Sequence, residues 1–175
     1  GISRAFQNLE LFSGLTVLDN LMLARHQHLK YSLLDAIIFF GKASRVEAEN
    51  RAYVEDVIDF MELEPYRKTM VGSLSYGIQK KVEVARALTL GPDILLLDEP
   101  MAGMNQEEKE DIVRFVMDIK NERGTTVVLV EHDLGVVMDI SDRLYVLDFG
   151  ELIGSGTPEE VAQDPKVIDA YIGEG

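Results

Sequence analysis

Residues 74–100, LSYGIQKKVEVARALTLGPDILLLDEP, constrain the fold more than any other part of the chain. Ser75 and Gly77 precede a helical pattern in which Ile78, Val82, Ala85 and Leu88 share one face. Gly91-Pro92 closes that helix, because proline cannot continue it and disfavours helical geometry in the residue before it. The run Ile94-Leu95-Leu96-Leu97 is too short for a helix and has no polar face, which predicts a central strand of a parallel sheet. Asp98 and Glu99 then follow that strand directly, and Pro100 stops further pairing.

This order has chemical consequences. In an open α/β sheet, ligands bind outside the carboxyl ends of the strands, so Asp98 and Glu99 stand at the ligand edge. Consecutive strand residues point to opposite sides, which predicts two roles for the two acids. One carboxylate suits a hard cation such as Mg²⁺ held together with phosphates, and the other could orient or deprotonate a water. The plainer reading is two acids capping a strand at a solvated edge. At the helix start, a small hydroxyl and a glycine leave backbone N–H groups for a phosphate, with the helix dipole adding partial positive charge. An N-cap role for Ser75 is compatible with that.

In this order and spacing, the two motifs resemble those of the nucleotide-binding subunits of ABC transporters. LSYGIQ stands where that family carries its LSGGQ signature, and ILLLDEP matches its Walker B strand with the following glutamate. The resemblance implies a partial P-loop NTPase domain of ABC type, α/β, with a mostly parallel sheet, flanking helices and a helical subdomain. It implies ATP and Mg²⁺ as ligands, with Asp98 holding the metal and Glu99 polarising the attacking water. Ser75, Tyr76, Gly77, Ile78 and Gln79 would meet the γ-phosphate of ATP held by a second subunit. Tyr76 replaces the usual first glycine, as is common among transporters of branched-chain amino acids, and Ile78 is the less usual choice.

Arg4-Ala5-Phe6-Gln7 resembles a strand end followed by the family's Q-loop glutamine, so Gln7 is expected to touch Mg²⁺ and the water. Met101 to Asn105 aligns with the D-loop, where Asn105 keeps the hydrogen-bonding shape of the usual aspartate without its charge. A second aliphatic run, Thr126 to Val130, reads as a buried strand with His132 just past its end, so two strands deliver polar residues to one sheet edge. The resemblance names His132 the switch histidine; the alternative is a satisfied histidine in a strand-to-helix turn.

Helices are expected at 15–30, where Thr16 can cap, at 47–63, and at 107–122, where Ile112, Val113, Phe115, Val116 and Ile119 face the sheet. Tyr31 to Phe40 is an apolar patch too short to cross a bilayer, expected to pack in the helical subdomain. His26 and His28 lie two apart and cannot share a helix face, which leaves them as surface residues. Gly41-Lys42 is not a phosphate loop, since Ala36 and Ala43 stand where glycine and a hydroxyl are required. Further on come a short helix at 134–140, a strand at 144–147 and a hairpin turn at 148–151. Gly154-Ser155-Gly156 reads as an approach turn to the capping box Thr157-Pro158-Glu159-Glu160.

The division expected is a helical subdomain over about 8–75, with 1–7 and 76–175 forming the remainder of the α/β core and the tail. Seventeen basic residues against 31 acidic give a net charge of −14, which repels phosphate backbones and argues against a nucleic-acid partner. There is no cysteine, so neither a disulfide nor a thiolate metal site can form. No run of eighteen apolar residues occurs, and the N-terminus does not read as a signal peptide.

The tail GTPEEVAQDPKVIDAYIGEG resembles that of branched-chain amino acid uptake ATPases. The partners implied are a second ATP-binding subunit and transmembrane permease subunits, which would place the protein on the cytoplasmic face of the membrane. The resemblance further implies that roughly the first third of a full cassette, with its phosphate loop, lies outside these residues. The expectation is therefore no ATP hydrolysis by this polypeptide alone. Two other readings are a truncated, non-catalytic module that docks on a permease or a full-length ATPase, and a cassette ATPase outside transport.

Overall fold

The computed structural model describes residues 1–5, 11–26 and 42–172. They form two compact units, residues 1–130 and 131–175.

The first unit is built on a three-stranded sheet of β1 (Ile2–Ala5), β2 (Ile94–Asp98) and β3 (Thr126–Val130), in that spatial order. Both pairings are parallel, with Ile2 opposite Ile94 and Leu95 opposite Val127. The central position expected for the Ile94–Leu97 run is thus realised. Parallel neighbours need a crossover. Between β1 and β2 it contains α1 (Val17–His26), α2 (Lys42–Phe60) and α3 (Tyr76–Leu88); between β2 and β3 it is α4 (Gln106–Arg123). The core gathers Leu95 and Leu97 of β2, Val82, Ala85 and Leu88 of α3, and Phe115 and Ile119 of α4, all nearly or fully buried.

Local chemistry explains the helix ends. Thr16 Oγ1 accepts from the Asp19 N–H at 3.1 Å, capping α1 as its sequence position predicts. Gly124, with φ of 63°, ends α4 in the left-handed conformation that glycine adopts without penalty. In α4, Ile112, Phe115, Val116 and Ile119 are buried and Val113 is half-buried, close to the expected stripe. Three segments of this unit differ from expectation. Strand β3, read as buried, is exposed or half-buried at every residue, because it is an edge strand of the sheet. Helix α2 ends at Phe60, and Glu64-Pro65 opens a separate single turn over Glu64–Tyr66, where proline fits the first position. Helix α3 is buried nearly all round: Lys80 and Glu83, two residues of its charged face, are 2% and 5% exposed and pair at 3.2 Å.

The second unit opens with α5 (Leu134–Ile140), capped by Asp133, whose carboxylate accepts from the Val136 N–H. Strands β4 (Leu144–Asp148) and β5 (Glu151–Gly156) form an antiparallel hairpin. Its two-residue turn has positive φ at both Phe149 (44°) and Gly150 (84°), the type I′ geometry that suits strand twist. Gly154-Ser155-Gly156 belongs to β5 and is not an approach turn. Glycine is needed at Gly154 for packing, since a methyl there would stand 2.7 Å from Val167. The capping box at Thr157 and Glu160 forms as read, with Pro158 opening the short helix α6 (Pro158–Val161). Helix α7 (Pro165–Val167) and a π-helical turn over Ile168–Ile172 follow. Among the described residues no helix is long and apolar enough to cross a membrane.

Candidate functional site at the signature turn and the β2 exit

The signature turn is shaped by its own side chains. Ser75 takes an extended backbone (φ −60°, ψ 157°) and its Oγ accepts from the Ile78 N–H at 3.4 Å. Its carbonyl accepts from the Gln79 N–H, and Gln79 Nε2 folds back to donate to the Leu74 carbonyl at 2.9 Å. The capping role of Ser75 is therefore present. The N–H groups of Tyr76 and Gly77 lie in the first turn, where helix geometry supplies no acceptor, and they face the positive end of a helix of 13 residues. That combination suits an anion.

At the other motif, Asp98 is the last residue of β2, and its Oδ2 accepts from Arg4 Nη2 of β1 at 2.7 Å. Glu99 has already left the strand: its φ is 46°, and its N–H donates to the Val130 carbonyl at 2.9 Å. The difference between the two acids thus comes from a left-handed backbone step, not from strand alternation. A non-glycine residue in that region costs about 1–2 kcal/mol, the kind of strain that accumulates where function holds a residue in place. The Asp98 side chain is 27% exposed and offers hard oxygen donors, which fits Mg²⁺. Among the described residues no three His, Asp or Glu side chains gather as a metal cage. Mg²⁺ is commonly held by one or two carboxylates with phosphate oxygens and water, so a single Asp98 carboxylate is compatible with it.

The loop between them is compact. The N–H groups of Ala102 and Met104 donate to the carbonyls of Glu99 and Met101, and Gly103 takes φ of 75°. Asn105 caps α4: its side-chain oxygen accepts from the Glu108 N–H at 3.0 Å, while Glu108 Oε2 accepts from the Asn105 N–H at 3.1 Å. This loop lies against the signature, since a methyl on Gly103 would stand 3.4 Å from the Tyr76 ring. Tyr76 is thereby brought against Gly103, and Gly77 against Glu108 of the Asn105 cap.

His132 stands two residues beyond β3 and belongs to the second unit. Its ring is largely exposed, with Nδ1 3.9 Å from the carboxylate of Glu131, whose side chain is buried. Gln7, His28 and the 31–40 patch lie outside the described residues.

A surface hollow lined by Glu107, Glu108, Glu110, Asp111 and Arg114 flanks α4. Its carboxylates would repel a phosphate. Burial pushes the Asp111 carboxyl up, but the hydrogen bond and charge of Arg114, together with Lys81, outweigh this and hold it below its ordinary value. Glu62 and Asp111 in turn hold the Arg114 guanidinium firmly protonated.

Two residues of this region escaped the sequence reading. Arg4 meets Asp98 only because β1 and β2 are neighbours. Glu108 carried a legible signal, since Asn105 and Glu108 have capping-box spacing.

Comparison with known proteins agrees with this geometry. Residues 1–102 match the ABC transporter family profile, and residues 151–175 match that of the branched-chain amino acid ATP-binding cassette transporter. The high-affinity branched-chain amino acid transport ATP-binding protein LivG of Escherichia coli is 37% identical over 174 residues, covering 99% of this chain and 68% of the relative. A probable branched-chain amino acid transport ATP-binding protein of Methanocaldococcus jannaschii is 34% identical over 178 residues, with coverage of 99% and 68%. Among solved structures, the ADP conformation of an ABC-transporter ATP-binding cassette superimposes with a TM-score of 0.78 at 33% identity, covering 99% of this chain and 68% of that one. With its capped signature turn and acid-bearing β2 exit, the chain belongs to the ATP-binding cassette family of ABC transporters.

Proposed function

We propose that this chain is part of the ATP-binding subunit of an importer for branched-chain amino acids or similar solutes, working by ATP-driven closure of two cassettes on permease subunits at the cytoplasmic face of the membrane. The observation that carries the reading is the pairing, in one unit, of an anion-ready helix start at Ser75–Gly77 with Asp98 and Glu99 at the carboxyl end of the central strand. The branched-chain profile over residues 151–175 supports the solute class.

In this reading Asp98, with Gln7, holds Mg²⁺, and Glu99 polarises the attacking water. His132 donates to a phosphate oxygen. The signature residues 75–79 close on ATP presented by the other subunit, with Asn105 beside them. Bound with the phosphates, Mg²⁺ neutralises charge that develops during phosphoryl transfer. Arg4 keeps one oxygen of Asp98 fixed, so the carboxylate is oriented before any ligand arrives.

Glu99→Gln, made in a cassette that joins this sequence to a phosphate loop, is expected to lower turnover by about 100-fold or more while ATP-dependent dimers persist. Normal hydrolysis by that variant would remove Glu99 from the role. A second reading is a truncated module that docks on a permease or a full-length ATPase and supplies residues 75–79 to a partner's ATP without hydrolysing its own. Co-purification with permease subunits supports a transport setting for either reading; its absence favours a cassette outside transport.

A further inference from the structure

The start of the signature helix and the start of α4 are fastened to each other at one side chain. Glu108 closes the capping box on Asn105 with Oε2. The rest of the same carboxylate lies against Gly77: a methyl at Gly77 would stand 2.6 Å from Glu108 Cδ and 3.0 Å from Cγ. Glu108 cannot swing aside without giving up the Asn105 N–H, so the space at Gly77 is fixed by the cap. One turn further along, Lys81 Nζ reaches Asp111 at 3.3 Å and lies 4.1 Å from the centre of the Phe115 ring. Residues 77 and 81 are one helical turn apart, as are 108 and 111, so the two helices meet in step along their first turns. On the loop side, the Tyr76 ring covers Gly103, which holds a left-handed φ of 75°.

We propose that Glu108 is a positioning residue that locks the signature turn (Tyr76–Gly77) to the loop ending at Asn105, so that both meet a partner's nucleotide as one rigid element. The glycine at position 77 is then required by contact within the chain as well as by any phosphate outside it. Glu108 touches no reacting atom in this account; it acts through Gly77 and Asn105. The inference rests on the reading of residues 75–79 as the surface that closes on a partner's ATP.

Two measurements test it, one independent of that reading. In the 175-residue chain, Gly77→Ala is expected to lower the thermal midpoint both in the otherwise unchanged chain and beside Glu108→Gln, which keeps the bulk and the acceptor. Beside Glu108→Ala it should cost less than half as many degrees, because the methyl then has room. Pairs that fold only with Glu108→Ala count the same way, whereas equal losses in all three backgrounds overturn the lock. The second measurement is ATP-dependent association of the chain with a hydrolysis-silenced relative that carries a phosphate loop. Glu108→Ala is expected to weaken it about tenfold, and Glu108→Gln to leave it within about twofold. If the unsubstituted chain associates and Glu108→Ala associates equally well, Glu108 is a cap and nothing more. If the unsubstituted chain fails to associate, the composite-site reading falls, and the Gly77 series still decides whether the lock exists.

Discussion

Glu99 joins an ionisable side chain to a left-handed backbone at φ 46°, a backbone region that Glu62 also takes at 52°. The step is held by its own N–H, bonded to the carbonyl of Val130 on the neighbouring strand, so sheet pairing fixes where the residue leaves β2. Asp111 shows a different electrostatic situation. Its carboxyl titrates below the ordinary value of about 3.9 because Arg114 and Lys81 outweigh partial burial. A depressed folded value means that the carboxylate stabilises the chain above the unfolded pKa, and that this is lost as pH falls through the lowered value. Asp111→Asn is therefore expected to flatten the acid limb of stability. Between pH 7 and pH 3 the unsubstituted chain should lose more of its denaturant midpoint than the variant does, and equal losses would show that the pair contributes nothing.

At the scale of elements, α3 departs furthest from its pattern. Its periodicity gives one apolar face, yet Gly77 and most of the run from Lys80 to Leu88 are buried, because β1, β2, α1 and α2 pack around it. Lys80 and Glu83 are consequently taken out of water together. Removing one member of such a pair takes the nearest opposite charge from the other, and breaking a buried pair typically costs about 3–5 kcal/mol. Lys80→Met is expected to destabilise the chain on that scale in chemical denaturation, and Lys80→Met with Glu83→Leu to recover most of the loss. A single substitution with no effect would show that the pair is not buried in solution. The hairpin β4–β5 was legible through Gly150, but the positive φ of Phe149 was not, since an aromatic residue gives no sign of that backbone region.

For the whole chain, residues 74–79 and 94–100 carry the resemblance to cassette ATPases, and the 175 residues contain no G-x-x-x-x-G-K-S/T motif. Purified 175-residue polypeptide is expected to show no ATP turnover above a Glu99→Gln control; turnover above it would mean that nucleotide is gripped by residues other than a phosphate loop. The chain spans 68% of the length of the Escherichia coli relative. Some strand positions carry exposed apolar side chains, among them Val128 and Val130 in the first unit and Tyr145 and Leu147 in the second. Such surface favours association, so solubility and cooperativity of unfolding are the first properties to measure.

Sequence alone determined what depends on a few neighbouring residues. The central strand at Ile94–Leu97, the caps at Thr16, Ser75 and Thr157, the break at Gly91-Pro92 and the placement of two acids at a strand exit all follow from local hydrogen bonding, periodicity and chain stiffness. Only the tertiary structure decided which distant groups meet. Arg4 reaches Asp98 through the pairing of strands more than ninety residues apart, Glu108 comes to lie against Gly77, and Lys80 is buried by helices whose arrival its own segment does not announce. Such contacts depend on the path of the intervening chain, and short-range patterns carry no record of that path.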